Sequence, residues 1–321
     1  MEKNSRSTKI VILVLLVLAI IFCVLYLFWG LNMKTFNYSF PRRLAKVAAF
    51  ILTAAAIGVS TVIFQTVSGN RILTPAVLGL DRLYMFIQTV VVFFWGGKAL
   101  TSMTDYTQFA ITLTIMALFA ILLFLVMFGG LDKGLFRIIL IGMIFGSLFD
   151  SMNSFMQAVM DPNEFLIIQD RMFASFNNVN TSLLGISSII TIGLLVFVFV
   201  KSSQMDVLSL GRDMAINLGI PYYKLVGISM LIICILVAVS TAVIGPVSFL
   251  GIFTANISVR LLKTYKHNIL FIGSALIGII ALAMGQFFVE RIFTFSTTLS
   301  VIIDFAGGIY FIYLIAREGR K

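Results

Sequence analysis

Histidine occurs once, at His267, and cysteine twice, at Cys23 and Cys234, in a chain of 321 residues. One imidazole and two thiols set in apolar runs are too few for this chain alone to build a zinc or haem site. The two cysteines read as small apolar side chains rather than as a disulfide. Charge is scarce as well: 11% of residues are charged, where a soluble domain carries about 25%. With 60% apolar residues, 31 Phe, 15 Met and only five Pro, soluble globular, disordered and disulfide-scaffold classes are excluded. The composition is that of a polytopic membrane protein. Also missing are a G-x-x-x-x-G-K-[S/T] phosphate loop, H-E-x-x-H, G-x-S-x-G and an EF-hand loop. No cofactor is expected on this chain, and any uphill transport must draw on a partner or an ion gradient. The net charge of +10 does not by itself imply nucleic acid, because in membrane proteins the distribution of Lys and Arg carries the information.

Apolar runs between charged or turn-rich breaks predict about ten transmembrane helices: 10–30, 44–64, 82–97, 109–131, 135–159, 181–200, 224–245, 248–262, 268–289 and 299–316. The third and eighth are short, and are expected to be tilted, partly re-entrant or shielded by neighbours. The first run follows Lys3, Arg6 and Lys9 but has no A-x-A cleavage site after it, so it is expected to stay in the mature protein. Of the 23 Lys and Arg, six fall in outer segments (Lys34, Arg42, Arg43, Lys98, Arg171 and Arg291) and Lys46 lies in a span. The remaining sixteen lie on the side of the N-terminus, which predicts that both termini are cytoplasmic. Two connections are long. The outer one, about 150–180, carries Asp161, Glu164, Asp170 and Arg171 as a weakly acidic lobe. The inner one, 201–224, has Leu210-Gly211 and Leu218-Gly219 breaks that predict two short cytoplasmic helices between the sixth and seventh spans. The chain reads as a single all-α transmembrane domain, 1–321.

Polar groups inside a span cost a few kcal/mol in lipid unless they face protein or water. On the fifth span Asp150, Asn153 and Gln157 share one helical face with Gly146 a turn before, and Ser147, Ser151 and Ser154 form the neighbouring stripe. This face suits a translocation path; the alternative is an Asp150 solvated near the outer boundary. Asp304, in the last span, is either a gating residue or an interhelical hydrogen-bonding partner, with Gly307 allowing close helix approach. Arg42 and Arg43 suit either docking of an acidic protein or anchoring at the interface. His267, beside Lys266, is expected to be a solvated loop residue.

Pro41-Arg42-Arg43-Leu44-Ala45, Phe64-Gln65, Asn70 and Thr74-Pro75-Ala76-Val77-Leu78-Gly79 resemble the early signature of the iron-siderophore and vitamin B12 class of ABC-importer permeases. Leu208-Ser209-Leu210-Gly211, Ala215 and Leu218-Gly219 look like that family's cytoplasmic coupling loop. Gly245-Pro246-Val247-Ser248-Phe249-Leu250-Gly251 looks like its glycine-rich turn, and Gly307 with Phe311 like its last helix. The resemblance runs from about residue 40 onward in one register and is most similar to permeases for catecholate, petrobactin-type ferric siderophores. It departs at Ser39, where an Arg is usual, at Ala255-Asn256 in place of Pro-His, and at Asp81-Arg82 in place of small residues.

The resemblance implies a non-enzymatic permease subunit in the plasma membrane that passes a ferric siderophore inward by alternating access. Its implied partners are a second permease (a different chain or another copy), two ATPase subunits carrying ATP and Mg, and an extracellular substrate-binding protein. Leu210, Gly211, Ala215, Leu218 and Gly219 would shape the ATPase-coupling surface, Arg42 and Arg43 would receive the binding protein, and Gly146, Asp150, Asn153 and Gln157 would line the path. Gly245, Gly251, Asp304 and Gly307 would serve helix packing or gating. A haem or cobalamin permease and an ion-coupled carrier are the alternatives.

Overall fold

The computed structural model describes residues 2–30, 34, 36–128, 135–177 and 179–318. Lys133, Arg320 and Lys321, and the side chains of Lys3, Arg6, Arg137, Asp170 and Arg317, lie outside the described residues. Among those described, all regular structure is helical, in fourteen α-helices and one 3-10 turn, Pro75–Leu78. In chain order these are α1 (Glu2–Phe28), α2 (Phe36–Ser68), α3 (Leu80–Trp95), α4 (Gly97–Ser102), α5 (Asp105–Phe128), α6 (Leu135–Val159), α7 (Pro162–Met172), α8 (Thr181–Val200), α9 (Ser202–Leu208), α10 (Arg212–Asn217), α11 (Tyr222–Ile244), α12 (Leu250–Leu262), α13 (His267–Arg291) and α14 (Leu299–Glu318). Seven of them are long and apolar enough to cross a membrane; α12 and α14 are shorter apolar helices, and α3 has 16 residues.

The long helices α2, α11 and α13 form the buried centre, with α2 packed along α13, α11 and α12. Two apolar clusters stack along α2. One gathers Val59, Ile63 and Phe64 with Leu78, Leu83, Met205, Leu208, Ala215 and Phe271; the other gathers Tyr26, Phe50, Leu52, Phe176, Leu250 and Leu299. Cys234 is buried and Cys23 half-buried, each as a free thiol.

The short helices begin inside the bundle. After α2 the chain turns back, and the turn at Leu78–Gly79 packs directly on the backbone of Gly142 and Gly146 of α6. Gly146 lies close to the middle of the 25-residue α6, about 17 Å from its start at 1.5 Å per residue. The approach leaves no room for side chains: a methyl at Gly142 would come within 2.8 Å of Leu78 Cα, and one at Gly79 within 2.9 Å of Gly146 Cα. Gly79 also has φ +77°, a left-handed conformation open to glycine. The same construction recurs before α12, where the turn at Gly245 (φ +94°) packs on Ala174, and Phe249 packs on Gly307 near the middle of α14. Arg82, counted from the sequence among the inner-loop cations, is thereby carried to mid-height of α6, and the charge tally loses one member.

Substituting Ala for Gly142 is expected to lower stability by about 1–3 kcal/mol through overpacking. Gly185→Ala, in a helix with open space around the new methyl, should be neutral or slightly stabilising. Thermal unfolding of the purified proteins in detergent compares the two.

Candidate functional site

Four polar assemblies stand out against this apolar background. At mid-height, the turns leading into α3 and α12 are fastened to each other and to α14. Ser248 Oγ donates to Asp81 Oδ2 at 2.8 Å, and the Phe249 backbone N–H donates to Asp304 Oδ1 at 3.2 Å. Both carboxylates sit at the N-terminal end of a short helix, where backbone N–H groups lack intrahelical acceptors and negative charge is favoured. Asp304 thus makes the interhelical hydrogen bond that was one of its two readings. The neighbouring stretch is held by side-chain amides: Gln65 Nε2 and Asn256 Nδ2 donate to the Arg71 carbonyl at 2.7 and 2.9 Å, and Asn70 Oδ1 accepts from the Ile72 N–H at 2.9 Å. Gly251 packs on Thr61, and Gly245 and Gly307 make the close approaches described above. All four residues expected to serve packing or gating therefore lie in or against the α12 turn.

On α6 the structure divides the expected polar face. Gly146 is buried under Arg82, Asn153 is buried with no partner for its Oδ1 among the described residues, and Gln157 is half-buried. The exposed polar stripe consists of Ser147, Asp150, Ser151 and Ser154. Asp150 Oδ2 pairs with Arg82 Nε at 3.0 Å, and the two side chains remain 53% and 45% exposed.

At one end of the bundle, α9 and α10 form the corner anticipated between the sixth and seventh spans. Met205, Leu208 and Ala215 point into the core, while Leu210, Met214 and Leu218 are each about 60% exposed. Gly211 and Gly219 take positive φ with open space around them, so the turns need glycine for conformation rather than for packing. Ala215 shapes the corner from beneath. The corner is joined to the bundle through His267. Its Nδ1 and its backbone N–H both lie 2.7 Å from Asp206 Oδ1 on α9, and its Nε2 lies 2.7 Å from Thr66 Oγ1 on α2. His267 is 3% exposed, which corrects the expectation of a solvated loop residue. Its partners lie 61 and 201 residues away in sequence, beyond the reach of local pattern.

At the opposite end Lys46 Nζ and Glu290 Oε1 form a largely buried ion pair at 2.9 Å. Glu290 Oε1 also accepts from the Tyr26 hydroxyl at 2.7 Å and from Gln286 Nε2 at 3.0 Å. Arg43 Nη1 donates to the carbonyls of Tyr26, Leu27 and Trp29 at 2.9–3.2 Å and so caps the C-terminus of α1. Arg42 is exposed and stacks over the Tyr38 ring at 4.2 Å.

The profile of the FecCD transport family matches residues 10–317, nearly the whole chain. The chain belongs to the FecCD transport family. Among FecCD relatives, the petrobactin import system permease protein YclO of Bacillus subtilis (strain 168) is 52% identical over 95% of this chain and 96% of its own length. The petrobactin import system permease protein FatC of Bacillus anthracis is 32% identical over 99% of this chain and 91% of its own. A solved chain described as a metal-chelate type ABC transporter in an inward-facing conformation superposes with a TM-score of 0.84, at 21% identity, over 97% of this chain and 99% of that one. The two chains share one fold, and this FecCD chain is a multi-pass membrane permease.

Asp206→Ala would take from the His267 Nδ1 and backbone N–H the carboxylate oxygen they share. A loss of about 2 kcal/mol is expected, with Asp206→Asn retaining most of the stability; unfolding in detergent with a fluorescence readout checks both.

Proposed function

We propose that this chain is the permease subunit of an ATP-driven importer for a ferric siderophore of the catecholate, petrobactin-like class. The observation that carries the reading is the 52% identity over 95% of the chain to a petrobactin import permease. The distribution of polar groups supports it. A charged pair on the flank of a membrane-spanning helix costs roughly 3 kcal/mol per charge against lipid, so the exposed Arg82–Asp150 pair and the serine stripe of α6 must face water or protein. A central path between two permease subunits supplies both.

In this reading the chain makes ten passes. The seven long helices are joined by α3, α12 and α14, and both termini lie in the cytoplasm of a cell whose plasma membrane holds the complex. The α9–α10 corner then faces the cytoplasm, and Leu210, Met214 and Leu218 form an apolar surface for an ATPase subunit. That subunit carries the nucleotide and metal chemistry, and this chain hydrolyses nothing. Outside, Arg42 offers an exposed cation to the acidic surface of a substrate-binding protein, while Arg43 fixes α1 and frames that surface. Closure of the ATPase pair would rock the permease halves between outward- and inward-facing states. Asp206, His267 and Thr66 would tie the corner's movement directly to α13 and α2.

Gentle detergent extraction with identification of stoichiometric partners tests the assembly. An ATPase and a second permease are expected; recovery of this chain alone would overturn it. Leu218→Asp changes an exposed side chain, so folding should be unaffected, whereas ATPase co-purification and siderophore uptake should fall at least tenfold.

A further inference from the structure

Arg82 is assigned no role by the family resemblance, which has small residues where Asp81 and Arg82 stand. Its surroundings are nonetheless built for it. The side chain crosses the face of α6 at Gly146, where a methyl would come within 2.8 Å of Nη1 and 3.1 Å of Cδ. Asp81, one residue before, accepts from Ser248 and lies near enough to feel the Arg82 charge, but the carboxylate within ion-pair distance of Arg82 is that of Asp150. Only Nε is taken, by Asp150. A guanidinium carries five N–H donors, and the described residues offer the other four no hydrogen-bond acceptor.

We propose that Arg82 is a substrate-binding residue of the translocation path, taking the anionic oxygens of a ferric catecholate chelate, with Asp150 as its partner while the path is empty. The proposal rests on the function given above. Catecholate oxygens bring more negative charge than one ferric ion neutralises, so the chelate is an anion with oxygens at its surface. A planar fork of N–H donors matches such oxygens two at a time. The pair is half exposed at mid-height of α6, where facing lipid is costly. The adjacent Ser147, Ser151 and Ser154 offer a hydroxyl track along which a polar solute can pass without being held. A contact with a second permease subunit would instead bury the pair, and the cores of such interfaces are depleted in charge. Asp150 has two functions in this account: it prevents an unpaired cation in the empty path, and its competition keeps the chelate from binding too tightly to leave.

The test uses the complete complex of permease, ATPase and binding protein in proteoliposomes, with radioiron-labelled ferric petrobactin as probe. Arg82→Gln is expected to raise the KM for uptake at least tenfold with the complex assembling at wild-type yield, and Arg82→Lys to recover part of that loss. Asp150→Asn should lower KM and slow release, reducing kcat. As a second measurement, Arg82→Cys in a background lacking Cys23 and Cys234 should react with a water-soluble anionic thiol reagent and be protected by the chelate. Wild-type KM in Arg82→Gln, or an unreactive Arg82→Cys, would overturn the proposal and make the pair a subunit contact. Wild-type complex that assembles but does not transport ferric petrobactin would sink the substrate reading itself, and this proposal with it.

Discussion

Helix ends that lie inside a bilayer must find their hydrogen bonds within the protein, and the architecture follows from the way this chain meets that requirement. Backbone N–H groups have no water to turn to at that depth. The turns that open α3 and α12 are buried at mid-height, so each brings unpaired donors into the bundle. Asp81 and Asp304 are placed against those turns, Gln65 and Asn256 supply donors for the Arg71 carbonyl, and glycines at 79, 142, 146, 245 and 307 let backbone touch backbone. Asp81 and Asp304 are thereby engaged in holding these turns, whereas the Arg82–Asp150 pair stays half exposed on the face of α6.

The same economy governs the junction with the corner helices. Helices of six and seven residues have little cooperative stability of their own. They persist because Met205, Leu208 and Ala215 are buried beneath them and because His267 accepts the role of a three-way bracket. A bracket of short hydrogen bonds transmits displacement better than an apolar contact, which can slide. The corner is thus held to α2 and α13 by hydrogen bonds as well as by its buried apolar side chains.

Much of this was legible in the residues. Apolar run lengths located the seven helices long and apolar enough to cross a membrane, the Leu-Gly pairs located α9 and α10, and the low polarity of the chain made its few polar groups within apolar helices conspicuous. Asp304 was placed between two readings and makes a contact belonging to one of them. The depth of α3 was not legible, because nothing in Thr74-Pro75-Ala76-Val77-Leu78-Gly79 says that the turn lies against the middle of α6; that is a property of Gly142 and Gly146, more than sixty residues later. For the same reason Arg82 was counted as a loop cation. His267 was misjudged because its neighbours Lys266 and Asn268 are polar, while its partners come from two distant helices.

The way α1 is attached has a consequence for how the protein is made. One flank is largely exposed while Leu15 and Ala19 are buried against the bundle, and its polar ties are at its ends: Thr8 donates to the Leu262 carbonyl at 3.2 Å, Tyr26 reaches Glu290, and the Trp29 carbonyl accepts from Arg43 and from Arg291 at 2.8 Å. All but one of those partners are synthesised more than 230 residues later. Arg43 of α2 can cap α1 early, but the contacts of α1 with Leu262, Glu290 and Arg291 form only once α12 and α13 are in place. Apolarity that suits α1 to lipid and polar contacts that dock it are thus carried by different residues, the latter lying at its two ends.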